Sequence, residues 1–264
     1  VTKPDLGGAA EIAWRQAVEL QAAGAAVLLA TGVEGPLTER CDAHGIPRLI
    51  LPLLTGTIRP WRDGWFVFSL RRILREHGIT VALAHSSKPA LAIRLAALFT
   101  PVRRLSYIHG WSWLASGNPL HRRLAAWTAF AAGSFLPGRF ITVCDADRRD
   151  GRRWFPWAAG RFLTIKNGLP DAPPPSLPND GTVRLVSIAR LAWPKDFAVL
   201  LDALAQLSDL PNWRLDVYGD GPLRGEWERR CAALKLNARA TFHGETPNAA
   251  ERLAAHNLFV LPTR

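Results

Sequence analysis

Short apolar strands alternating with helices constrain this chain more than any other feature. From residue 183 the sequence reads VRLVSIAR, a basic turn LAWPKD, the helical FAVLLDAL, then WRLDVYGDGPLRGEW, ATFHG and LFVLPTR. Strands apolar on both faces are buried on both faces, and crossover helices are what return the chain to lay them parallel. The pattern predicts α/β layers around a parallel sheet.

The same alternation runs through the first half. Residues 9–23 have helical spacing, with Ile12, Ala13, Ala17, Val18 and Leu20 toward a core and Gly24 as the stop. Strands are expected at 27–31, 48–51, 80–84, 105–108, 141–144 and 162–165. Helices are expected at 65–76, with its arginines on one side, at 89–99, from Pro119 onward, and up to Trp154. The longest apolar run, 124–136, is too short for a bilayer span of about 20 residues and predicts a buried helix, or a membrane-surface helix that the flanks Arg122-Arg123 and Pro137-Gly138-Arg139 would suit. Residues 169–181, LPDAPPPSLPNDG, are a proline-rich break of the semi-rigid linker type. They divide the chain into a first domain at 1–168 and a second, partial one at 182–264.

Composition sets the remaining bounds. With 264 residues, 48% hydrophobic and 21% charged, the chain has material for two ordinary globular domains. It holds no methionine, and Arg264 follows directly on a buried-type strand. Truncation is therefore expected at the C-terminus, and slightly at the N-terminus. Cys41, Cys144 and Cys231 lack C-x-x-C spacing, which reads as free thiols in a reducing, cytoplasmic compartment. The histidines form no H-E-x-x-H pair, so no metal site is expected. The net charge of +11 favours anionic partners: nucleic acid, acidic lipid or phosphorylated substrates. The arginine pairs lie on separate predicted helices without an aromatic platform, so no specific nucleic acid is expected. An arginine-rich solvated surface accounts for the charge equally well.

Four local patterns carry chemistry. Arg190 follows the strand at 183–189, and Lys195 precedes a helix at 197–207 that Asp196 is placed to cap. Two cations and a helix N-terminus outside the carboxyl end of a strand make an anion site suited to a diphosphate. Tyr218-Gly219-Asp220-Gly221-Pro222 is a strand-to-helix turn, with Pro222 opening the helix. It lets backbone approach a ligand, or is simply a tight turn. Gly7-Gly8 precedes the first helix and presents amides to phosphate, or is a turn alone. His109 ends a strand, enters the loop Trp111-Ser112-Trp113 and faces the side where ligands bind, unless it is structural. Asn167-Gly168 reads as a turn.

In order, GG, YIHG, TIKNG, R-x-x-x-x-K, YGDGP, TFHG and LFVLPTR resemble the retaining GT-B glycosyltransferases of family four, and the likeness runs through nearly the whole chain. That resemblance implies an α/β GT-B fold, two Rossmann-like domains facing a cleft, the second incomplete here. It implies transfer of a hexosyl unit from a nucleotide-diphosphate sugar to an acceptor hydroxyl with retention, without a metal or other cofactor. By the same resemblance His109, Arg190 and Lys195 are catalytic. Gly7, Gly8, Arg190, Lys195, Gly219, Gly221, Phe242, His243 and Gly244 bind the donor. The implied setting is polysaccharide or lipopolysaccharide biosynthesis. The basic first half suggests a lipid-linked or phosphorylated acceptor at the inner membrane face. Asp196 stands where the family often has glycine, and Cys144-Asp145 where it often has serine, so no role is assigned there. The family's paired-glutamate motif is expected after Arg264, so these residues alone are expected to be inactive. A nucleotide-sugar epimerase or hydrolase of the same fold, and a basic nucleic-acid-binding or inactive module, are the alternatives.

Overall fold

The computed structural model describes residues 1–2, 4, 7–55, 59–111, 113–114, 120–168, 180–207, 209–210, 212–246 and 249–263. The chain divides into two compact units, Val1–Leu169 and Pro170–Arg264. Most of the proline-rich segment, together with Ser112, Pro119 and Arg264, lies outside the described residues.

The first unit contains α1 (Gly8–Ala22), β1 (Leu29–Thr31), α2 (Pro36–Ala43), β2 (Arg48–Ile50), α3 (Pro60–Glu76), β3 (Val81–Ala84), α4 (Ser87–Ala96), β4 (Arg103–Ile108), α5 (Leu120–Phe135), β5 (Arg139–Thr142), α6 (Asp145–Trp154) and β6 (Phe162–Thr164). Strands β3-β4-β5-β6 form one parallel sheet in that order, and β1 and β2 pair in parallel separately. The Val1 amine donates to Ala30 O on β1, and the Thr2 hydroxyl bonds the Ser86 hydroxyl past β3. The first two residues thus touch both sheets.

Several expected elements shift for identifiable reasons. Helix α2 was not anticipated; Pro36 opens it in the position where a missing N–H costs nothing, and Leu37, Thr38 and Cys41 bury its inner face. Strand β5 stops at Thr142, because Cys144 turns into the N-cap of α6 and its Sγ accepts from Asp147 N. The run 124–136 is not a buried helix. Only one side of α5 packs, with Ala126, Phe130 and Ala131 against an aromatic core of Trp111, Trp113, Phe140, Phe155 and Phe162. Leu120, Leu124, Trp127 and Phe135 are exposed. One arginine is internal: Arg94 of α4 donates to the carbonyls of Leu136, Pro137 and Arg139 and lies over the Phe140 ring.

The second unit contains β7 (Val183–Ile188), α7 (Phe197–Ala205), β8 (Trp213–Tyr218), α8 (Arg224–Ala233), β9 (Ala240–Gly244) and β10 (Leu258–Phe259). The sheet is parallel in the order β10-β7-β8-β9. Its core packs Leu201, Leu204, Trp213, Leu215, Val217 and Trp227 between sheet and helices. Alternate residues of β8 point the other way, which places Asp216 and Tyr218 on the opposite face. Helix α8 begins at Arg224, not Pro222, because Leu223 N is drawn to Leu191 O in the neighbouring loop.

Candidate functional site

In the second unit, the loops leaving β7 and β8 are laced together. Ala189 N donates to Tyr218 O, Leu191 N to Asp220 O, and Leu223 N to Leu191 O, at 3.0, 2.9 and 3.0 Å. The contact is close enough to require glycine. A Cβ on Gly219 would stand 2.0 Å from Ala189 O, and one on Gly221 would stand 2.3 Å from Leu191 O. Gly219 also sits at φ +128°, where a side chain is strained. Leu191, fully buried, anchors the first loop and leaves its neighbour Arg190 exposed.

No hydrogen-bond acceptor or carboxylate partners the Arg190 guanidinium among the described residues. Three arginines of this unit do have carboxylates: Arg184 with Asp180, Arg224 with Asp220 and Glu228, Arg230 with Asp202. Lys195 Nζ donates to Thr263 Oγ1 at 3.0 Å, and the two residues also form a backbone bridge. Asp196 caps α7 as expected, accepting from Val199 N. Two cations and a helix N-terminus therefore share the carboxyl end of β7, an arrangement that attracts a polyanion.

At the end of β9, Phe242, His243 and Gly244 each have partners within the unit. The Phe242 side chain packs against the helix-side core, and its carbonyl accepts from Arg224 Nη2. Gly244, at φ +80°, accepts from Gly219 N at 2.7 Å. His243 stacks on Tyr218 at 4.6 Å, and its Nε2 donates to Asp216. His256 reaches the other oxygen of the same carboxylate at 3.1 Å. Burial alone would raise the Asp216 carboxyl; the bonds and charge of the two imidazoles outweigh that and hold it below the usual carboxylate range.

In the first unit, His109 emerges from β4 beside a second histidine that follows β3. His85 Nδ1 lies 3.1 Å from His109 Nε2, and the rings stack at 25°. The Tyr107 ring packs against both, while its hydroxyl lies 3.3 Å from both Ile165 O and Asn167 Oδ1 past β6, either of which can accept its one hydrogen. Asn167 thus helps to fix the Tyr107 ring. The pair lines a cavity of about 180 Å³ together with Ser86, Ser87, Trp111 and Trp113. Burial pushes His85 down to about 3 and lowers His109 as well, so both imidazoles are neutral near pH 7. The buried Trp111 Nε1 has no acceptor among the described residues. Gly7 and Gly8 open α1, and a Cβ on either would meet nothing within 4 Å among the described residues.

His85, Asp216 and His256 escaped the sequence reading. His85 had a signal: it stands just past a strand end, as His109 does. Asp216 and His256 had none, because His256 lies between β9 and β10 and meets Asp216 across 40 residues of chain only in the folded unit. Among the described residues no group of His, Cys, Asp or Glu is arranged to hold a metal ion, and no helix is long and apolar enough to cross a membrane.

Comparison with known proteins bears on this geometry. The model of Glycosyltransferase Family 4 matches residues 6–173, and that of Glycosyl transferases group 1 matches residues 182–264. The O-antigen biosynthesis glycosyltransferase WbnH of Escherichia coli is 25% identical over 222 residues, 84% of this chain and 62% of WbnH. The putative glycosyltransferase EpsF of Bacillus subtilis is 29% identical over 215 residues, 75% of this chain and 55% of EpsF. The chain thus spans about three-fifths of the length of the curated relatives it matches. Among solved structures, Anabaena HepE in complex with UDP and glucose superposes with a TM-score of 0.75 at 16% identity, covering 100% of this chain and 73% of HepE. WaaG, a glycosyltransferase involved in lipopolysaccharide biosynthesis, gives 0.67 at 16% identity, covering 98% of this chain and 72% of WaaG. The α/β fold with parallel sheets is that of the GT-B glycosyltransferases.

Proposed function

The chain belongs to glycosyltransferase family 4, and from that premise we propose that the full-length protein moves a hexosyl unit from a nucleotide-diphosphate sugar to an acceptor hydroxyl, with retention. One observation carries the reading. Arg190, without an acidic partner among the described residues, stands with Lys195 and the α7 N-terminus at the carboxyl end of β7. Breaking the glycosidic bond leaves negative charge on the departing diphosphate. Fixed cations aimed at that charge stabilise the transition state more than the ground state. In this role Arg190 and Lys195 take the place a metal holds in other phosphate sites. That UDP and UDP-glucose are bound by HepE supports a nucleotide sugar as donor.

His109 supplies positioning in this scheme. A neutral imidazole at a cavity wall bonds a sugar hydroxyl without adding charge to the reacting centre. Gly7 and Gly8 offer open backbone amides to phosphate or acceptor. Gly219 and Gly221 hold the Arg190 loop in place by letting two backbones meet. The test is Lys195→Ala in the full-length protein: donor turnover falls by at least ~10-fold. Unchanged turnover overturns the diphosphate assignment.

The acceptor we assign to the lipid-linked or phosphorylated class, met at the cytoplasmic face of a membrane. The O-antigen role in the names of the relatives supports this. So does α3, which exposes Trp61, Trp65 and Phe68 at helical spacing, Trp61 to 90%, among exposed Arg62, Arg71, Arg72 and Arg75. Aromatic and cationic side chains on one helix suit an anionic lipid surface. Anionic vesicles at low salt are expected to retain the full-length protein and to release its Trp61→Ser/Trp65→Ser variant. No retention of the wild type contradicts the assignment.

A further inference from the structure

The reading of His109 as the sugar-facing residue leaves the second imidazole of the pair without a task. His85 and His109 emerge at the same end of neighbouring strands, since Ala84 lies opposite Ser106 in the parallel β3/β4 register. His85 is buried at 8% exposure, and its Nδ1 is 3.1 Å from His109 Nε2. Two neutral imidazoles at that distance share a single hydrogen, so one nitrogen donates and the other accepts. Two arrangements exist. If His85 donates, both rings must carry hydrogen on Nδ1, the less favoured tautomer of a free imidazole. If His109 donates, both rings carry it on Nε2, the favoured one. The second arrangement costs neither ring its preference.

We infer that His85 is a positioning residue: its Nδ1 accepts from His109 Nε2–H, which fixes the His109 ring and leaves His109 Nδ1 as a bare acceptor for a ligand hydroxyl. The inference rests on the proposed role of His109, and it adds a direction to that role. The cavity wall takes a hydrogen bond from the sugar instead of giving one. The Tyr107 ring, beside Ile165 O and Asn167, packs against both imidazoles, which lie within 25° of parallel and meet through their nitrogens. Burial keeps His85 neutral, and a protonated His85 would lose its acceptor.

The test uses the full-length protein with ¹⁵N-labelled histidine. The wild type is expected to show His109 as the Nε2–H tautomer, with a slowly exchanging, downfield Nε2 proton. His85→Phe keeps a ring of similar size but offers no acceptor; the protected proton is lost and donor kcat/KM falls about tenfold. His85→Asn places an amide oxygen near the former Nδ1 and restores both. An Nδ1–H tautomer in the wild type overturns the inference, as does an unchanged Nε2 proton in His85→Phe or an Asn variant no better than Phe. The reading beneath it is tested separately by donor turnover of His109→Ala, so the two can fail independently.

Discussion

The sheet of the first unit and the sheet of the second end in opposite chemistry. Past β3 and β4 the chain offers neutral rings, buried at His85, Trp111 and Trp113 and half-buried at His109, with Tyr107 of β4 beside them. Past β7 it offers cations, an exposed Arg190 and a Lys195 tethered only lightly to Thr263. Both positions are dictated by the same geometry, because parallel sheets present their ligand loops at the carboxyl ends of strands. What differs is the loop. A neutral wall suits the orientation of hydroxyls, and fixed charge suits a group that becomes more anionic.

This contrast predicts unequal losses. Arg190→Ala combined with Lys195→Ala removes the charged side, and donor turnover is expected to fall by about 10²–10³ or more. His109→Ala removes one neutral contact and is expected to cost about tenfold. Steady-state kinetics on the two variants decide the matter, and equal losses would erase the distinction drawn between the sites.

A smaller effect concerns stability. Gly219→Ala forces a Cβ into the Ala189 carbonyl at a positive φ. The loops must part, at a cost of about 1–3 kcal/mol or more by analogy with overpacked cores. Gly8→Ala meets open space and is expected to leave the unfolding midpoint within about 0.5 kcal/mol of wild type. Urea denaturation of both variants compares a glycine that the fold requires with one it does not.

The smallest effect separates the units by pH. His85 is lowered from 6.5 to about 3 by burial, so the unfolded chain binds more protons between those values. Stability in the first unit therefore declines as pH falls through that window. Asp216 is depressed below 3.8, so its contribution is intact above that value and is lost only as pH falls further. Hydrogen exchange resolved along the chain should loosen β3 and β4 near pH 5 while β8 stays protected. Simultaneous loosening of both would contradict these assignments.

The α/β alternation and the place of the cation pair between a strand and a helix were legible because each depends on local pattern. Apolar strands declare themselves, and Arg190-x-x-x-x-Lys195 needs only a strand before it and a helix after it. The exposure of α5 was not legible, since an apolar run looks alike whether one side packs or both. The work of Gly219 and Gly221 was hidden for a related reason: a turn glycine and a glycine pressed against a neighbouring loop have the same letters. His85 acquires its partner through the β3/β4 register, and Asp216 and His256 meet across 40 residues of chain, which no single segment encodes.

The most direct test of the account is calorimetric titration of nucleoside diphosphates and the matching monophosphates into the full-length protein and its Arg190→Ala/Lys195→Ala variant. The account predicts that a diphosphate binds the wild type more tightly than its monophosphate, and that the double variant loses this preference. A preference that survives without the two cations would contradict it.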